Sequence, residues 1–484
     1  ILVKVYNDDI KNGTIEIPNN VTSIGKGAFI NCTSLKSINI PESIINIEKY
    51  TFGSCTSLKS INIPKSVTNI GESTFENCFS LKEIIISNGI TSIGEGAFYN
   101  CKSLKTITVP ESVTSIGDRT FSQCTNLTSV AISGNVVSIG KEAFNDCTLL
   151  KEVTLPKGLT RISNQLFTNC VSMKEITIPE SVTSIGENAF ANCRTLNSIV
   201  IPNKVTSIGY KSFDGCIFLK SVIIPDTVIN IGAGAFNHCT FLQSITIPKG
   251  VTRIRERTFF DCNSLERVIL SDNITDIENF SFDGCRFLKE INLPSKLTRI
   301  GISAFSKCGH LKSVIIPDNV TSIGKNAFDG CKSLESITIS KNIISINNSI
   351  FNGCKSLKTV NISENIISIS ENAFNGCNSL NHLITPYGST QINNGNDIVL
   401  SYLYLYSNSI LKEKYNNIDE FLENDYIKNL ADNSSIYTPD AIMKFKILFY
   451  KLRRNFEIGN HFFVALSCEE IKQFDYKIWN QIRN

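Results

Sequence analysis

Cysteine has the widest chemical reach of the residues in this chain. A thiolate can cross-link, ligate a soft metal or attack an electrophile. Of 17 cysteines, sixteen recur every 23 residues from Cys32 to Cys377, without an insertion or deletion. A phenylalanine stands three residues before each of these, from Phe29 to Phe374. A structural metal site wants a C-x-x-C pair or a Cys/His cluster, and the sequence has neither. A nucleophile wants a base. The four histidines, His238, His310, His382 and His461, fall in no catalytic or ligand spacing, although His238 adjoins Cys239. Carboxylates are spread among turns, and the glycines follow the 23-residue frame rather than a phosphate-binding loop. The sixteen thiols therefore read as free and buried, small hydrophobes beside an inward Phe. A disulfide ladder is the alternative, and it requires a specific pairing geometry.

The frame around each Cys must be a coil of a stacked structure. From Leu35 the chain runs Leu-Lys-Ser-Ile-Asn-Ile-Pro, with Ile38 and Ile40 alternating with polar residues as in a strand with one buried face. Pro41 cannot donate to a ladder and suits the strand's end. Its register holds Pro or Ser at every repeat from Pro18 to Pro386. Ile44 and Ile47 follow as further inward residues. Phe52 and Cys55 are spaced like one helical turn and are expected to face inward together. One such coil cannot bury these side chains alone, whereas stacked coils can, with strands pairing in parallel about 4.8 Å apart.

The recurring Ile-Pro-x-Ser-Val-Thr-Ser-Ile-Gly-x-x-Ala-Phe-x-x-Cys-x-Ser-Leu-Lys-x-Ile frame over residues 15–386 resembles the leucine-rich repeats of the BspA type. The resemblance implies an α/β solenoid, a horseshoe with parallel β-strands on one face, that binds other macromolecules and carries no catalytic motif. The Gly after the second Ile gives way to Glu48, Ser163, Arg255, Glu278, Asn347 or Ser370. A left-handed backbone is therefore not expected to be obligatory there.

Four segments follow. Residues 1–14 form an N-terminal cap or partial repeat, 15–386 the solenoid of about 16 repeats, 387–396 a linker and 397–484 a small α-helical domain. In the last, Thr438-Pro439-Asp440 is a helix start. Ser467-Cys468-Glu469-Glu470 has capping-box spacing. The net charge of +3 does not indicate electrostatic nucleic-acid binding. No apolar run is long enough for a membrane span. Residue 1 is Ile, which suggests a processed product or fragment. No cofactor or metal is expected, and compartment and oligomeric state are left open.

Function should lie where the frame varies. The register before each strand Leu is usually Ser but becomes Phe218, Phe241, Phe287 and His310. The outward strand register, usually Asn or Thr, becomes Val200, Ile223, Ile269 and Ile315 over the same span. These eight residues are the candidate binding stripe, since contiguous exposed apolar area marks contact sites. The competing reading is that the Phe rings fold over neighbouring coils and thicken the core. Lys follows the strand Leu in most repeats, a solvated face or a surface for an anionic partner, with Glu83, Glu152, Glu175 and Glu290 in the next register partly offsetting the repulsion. Arg253, Arg255 and Arg257 read as a solvated turn. The leading expectation is a non-enzymatic module for protein–protein interaction or adhesion. A second is an intracellular adaptor resembling bacterial effector ubiquitin ligases. In that reading Cys468, with His461 seven residues earlier, is the candidate reactive thiol, although an incidental thiol is favoured. A third is a structural component of a surface layer or particle.

Overall fold

A computed structural model describes residues 1–391 except Glu364, Ile367, Glu371, Pro386 and Tyr387. The expected helical domain over 397–484, with His461 and Cys468, lies outside the described residues. The chain forms two units. The first comprises residues 1–274 and 284–286, and the second begins with 275–283 and resumes at Phe287.

In both units successive coils stack 23 residues apart, in parallel and in register. Within the first, Ser198–Val200 pairs with Ser221–Ile223, and Ser244–Thr246 pairs with Arg267–Ile269. Within the second, Ser313–Ile315, Ser336–Thr338, Thr359–Asn361 and His382–Thr385 form one ladder. Alternation places Ile199, Val222, Ile245 and Val268 in the core and leaves their neighbours outside. We call these the front strands. Pro or Ser stands two residues beyond most of them, as Pro202 after Val200 and Ser271 after Ile269.

Each coil also has a second, two-residue strand, which the sequence reading does not anticipate. Ser184–Ile185, Ser207–Ile208 and Asn230–Ile231 pair in parallel, with Ile185, Ile208 and Ile231 buried. Two residues are too few for period-two alternation to register. The solenoid thus carries strands on two faces rather than one.

The helical turn expected between Phe and Cys is also corrected, and with it the α/β assignment. Among the described residues there is no α-helix; the one helical element is a 3-10 turn, Asn7–Asp9. The Phe-to-Cys arm is a chain of tight turns. Cys55 N–H donates to the Phe52 carbonyl at 3.1 Å, while Phe52 N–H donates to Thr74 of the next coil at 2.8 Å. Sending alternate N–H groups to the neighbouring coil precludes an i→i−4 ladder. Two residues per coil take left-handed φ, for example Gly96 at 58° and Asn100 at 60°.

The core is a set of columns. Within the first unit the Phe rings from Phe29 to Phe259 stack with centroids 5.0–5.7 Å apart. Within the second, Phe282 to Phe374 stack at 5.2–5.6 Å. Leu or Met173 forms a parallel buried column. Val5 sits where a Phe would, since its carbonyl accepts from Cys32 Sγ at 3.5 Å; residues 1–14 thus lie against the first regular coil. At the other end, Gly388–Gln391, inside the stretch read as a linker, returns antiparallel along His382–Thr385.

Candidate functional site

The sixteen ladder thiols can be placed first. All are free and buried. From Cys55 onward each donates to the carbonyl of the Phe in the preceding coil, as Cys101 to Phe75 at 3.1 Å and Cys193 to Phe167 at 3.1 Å, while Cys32 donates to Val5. Burial pushes the thiols of Cys78 and Cys124 up to about 12. A thiol that is buried, donating and hard to ionise is a packing group, not a nucleophile. Among the described residues, no three His, Cys, Asp or Glu side chains converge as a metal site would require. His238 is exposed and bridges carboxylates, with Nδ1 3.3 Å from Asp214 and Nε2 3.8 Å from Asp261. Arg257, in the basic turn, lies against Phe260 and Glu256.

The eight residues picked as a stripe are all on the surface, in separate groups. In the first unit, Val200 and Ile223 are direct cross-strand partners and Thr246 pairs with Ile269. Ser221 pairing with Ser244 puts all four in one outward column. Val200, Ile223 and Ile269 are 60%, 63% and 46% exposed. Phe218 and Phe241 form a second column. Their rings stack at 5.1 Å and 9°, and both remain more than two-fifths exposed. They pack on each other above the coils, not into the core, which is already filled by the inner Phe column. Backbone bonds fix them: Phe218 N–H donates to Arg194 and Phe241 N–H to Ile217, at 3.1 and 3.0 Å.

In the second unit Phe287 stacks on the exposed His310 at 4.7 Å. Ile315, at 76% exposure, heads an outward column with Thr338, Asn361 and Ile384.

Sequence reasoning missed other surface features. Just before the second, two-residue strand of each coil (the rear strand) the usual Thr becomes Ile45, Val137, Ile229 and Ile344, each more than half exposed; substitution within one register is a signal that could have found them. Two hollows open on the front face of the first unit. One, of about 620 Å³, includes Ile85, Thr108 and Ala131 in its lining. The other, of about 550 Å³, includes Glu152, Glu175, Ile176 and Val200. The second hollow coincides with a ladder gap. Residues 174–178 form no strand, and Val153 and Ile176 are only half-buried where their column mates are buried. A gap of this kind leaves no trace in a frame that keeps its Ile and Pro.

Comparison with known proteins gives a consistent picture. A leucine-rich repeat protein from Bacteroides ovatus is 31% identical over 75% of this chain and 90% of its own, with a TM-score of 0.62. A leucine rich cell surface protein from Faecalibacterium prausnitzii is 27% identical over 77% of this chain and 88% of its own, with a TM-score of 0.38. A search of curated proteins returns no match. The model of the BspA type leucine rich repeat region matches residues 3–128, 114–232, 206–335 and 298–418, most of the chain. The chain therefore belongs to the BspA type leucine-rich repeat family.

Proposed function

We propose that this chain is a protein-binding module of the interaction or adhesion kind. In the first unit its contact surface is built from the Val200–Ile223–Ile269 column and the Phe218–Phe241 stack. The carrying observation is that large apolar side chains stand exposed in successive coils, held in register by backbone pairing, while the core beneath is complete without them. Aromatic side chains are enriched at protein–protein interfaces, and a few well-buried side chains carry most of the binding energy there. Phe287, His310 and Ile315 form the corresponding surface of the second unit. The fold is typical of interaction and surface adhesion modules, and leucine-rich repeat proteins generally bind protein partners.

The test is partner capture with the full chain, cross-linked and identified by mass spectrometry, followed by quantitative binding of the identified partner. Phe218→Ser with Phe241→Ser should weaken that binding at least about tenfold. The far-ultraviolet circular dichroism should stay unchanged. Undiminished binding would refute the assignment.

A further inference from the structure

The register after each strand Leu carries a second surface feature, a row of lysines that runs beside the apolar columns. Over nine successive coils of the first unit it reads Lys36, Lys59, Lys82, Lys105, Thr128, Lys151, Lys174, Asn197 and Lys220. Main-chain bonds link most of these residues to the same position in the preceding coil. Lys59 N–H donates to Lys36, Lys82 to Lys59, Thr128 to Lys105, Lys151 to Thr128, Asn197 to Lys174 and Lys220 to Asn197, at 2.8–3.1 Å. All seven lysines are exposed. Among the described residues none of them makes an ion pair within 4.0 Å. Other lysines of the same unit do: Lys49 with Glu72, Lys141 with Asp118 and Lys211 with Asp214.

The row is thus a file of unpaired ammonium groups, on successive coils from Lys36 to Lys105 and then at Lys151, Lys174 and Lys220, interrupted by Thr128, by Asn197 and by the ladder gap between Lys151 and Lys174; paired coils lie about 4.8 Å apart. Like charges so close repel one another, and the fold makes no use of them. Three carboxylates lie in the adjoining outward register, Glu83, Glu152 and Glu175, so seven cations face three anions. The four lysines from Lys36 to Lys105 have Ser34, Ser57, Ser80 and Ser103 two residues before them. The one aromatic ring beside this stretch, Phe79, is covered by the Lys102 ammonium 5.3 Å away.

We propose that the lysine row docks a linear sulfated polysaccharide along the coil-stacking direction. Charge complementarity calls for an extended polyanion. The file contains Lys and no Arg. Lys presents a point charge on a flexible stem, which suits sulfates of variable placement, whereas Arg suits bidentate recognition of carboxylate or phosphate. Ser hydroxyls flank the first four lysines, where a single-stranded nucleic acid would need open aromatic faces for its bases; at the far end Lys220 has the exposed Phe218 two residues before it.

A size-defined heparin oligosaccharide is the probe, titrated against the full chain at two salt concentrations. Two triple variants carry the same change in net charge. Lys59→Gln/Lys82→Gln/Lys105→Gln removes part of the file; Lys49→Gln/Lys141→Gln/Lys211→Gln removes paired lysines elsewhere. The file variant should bind roughly tenfold more weakly, with a shallower salt dependence, since three exposed ion contacts are lost. The control should change by less than about twofold. Equal effects of the two variants would show a mere response to net charge and overturn the proposal. So would the absence of heparin binding by the unaltered chain, or tighter binding to oligothymidylate or to phosphatidylserine vesicles than to heparin.

Discussion

A single buried thiol shows how this molecule uses its residues. Cys124 Sγ donates to the Phe98 carbonyl at 3.2 Å, and burial raises its pKa from 9.0 to about 12. Cys78 behaves alike. The unfolded thiol ionises near 9 and the folded one does not. The stability these thiols contribute is therefore complete below pH 9 and is lost as pH climbs from 9 toward 12. At pH 10.5 each such thiol should already cost roughly 2 kcal/mol. The melting temperature should fall steeply between pH 9 and 10.5, and Cys78→Ala with Cys124→Ala should make that fall shallower by the share of two thiols among sixteen. A melting temperature that is level across this range would contradict the assignment. One position before the Cys, Asn100 holds φ at 60° and donates its side-chain amide to Asn77 at 2.7 Å. Asn100→Val should cost about 1–2 kcal/mol in denaturant unfolding, because a branched residue resists this backbone; Asn100→Gly should cost less. The column was readable: Asn77, Asp146, Asn169, Gly215 and Gly330 share the register, and such residues tolerate left-handed backbone. Spacing alone, three from Phe to Cys, points to a helix because periodicity carries no φ.

At the scale of the coil, glycine marks where neighbouring backbones nearly touch. A Cβ on Gly140 would lie 2.3 Å from the Asp118 nitrogen, and one on Gly94 2.7 Å from the Glu72 nitrogen. Neither has the left-handed φ. The expectation that handedness does not dictate this register therefore agrees with the structure, and close approach is the operative constraint. Where Ser163 replaces Gly, its hydroxyl donates to the Ile139 carbonyl. Gly134, by contrast, has open space around a Cβ. Gly140→Ala should destabilise by about 1–3 kcal/mol, whereas Gly134→Ala should be neutral or stabilise by a few tenths. Equal effects in urea unfolding would rule out the crowding account. The front strand and its Pro stop were legible because four or five residues alternate. The rear strand was not, because Ser184–Ile185 offers a single inward residue and its pairing is set entirely by the coils on either side.

Across the whole molecule, a repeat of fixed length makes the core redundant and the surface free to vary. Phe, Cys, Leu and Ile recur because each must meet its copy in the next coil. Val200, Phe218, Ile223 and Phe241 depart from the frame at positions where the core asks for nothing. Their exposure was legible from register alone, once the 23-residue period was recognised. Their grouping was not, because side-by-side stacking of Phe218 on Phe241 depends on coil pitch and ring rotamer. The central claim is that the stacked core is self-sufficient and these departures serve a partner. Its most direct test uses one protein, the Val200→Ser/Phe218→Ser/Ile223→Ser/Phe241→Ser variant, with thermal melting and affinity for the captured partner measured side by side. The account predicts a melting temperature within about 3 °C of the parent and a loss of partner binding. A variant that melts far lower, or one that binds as tightly as before, would contradict it.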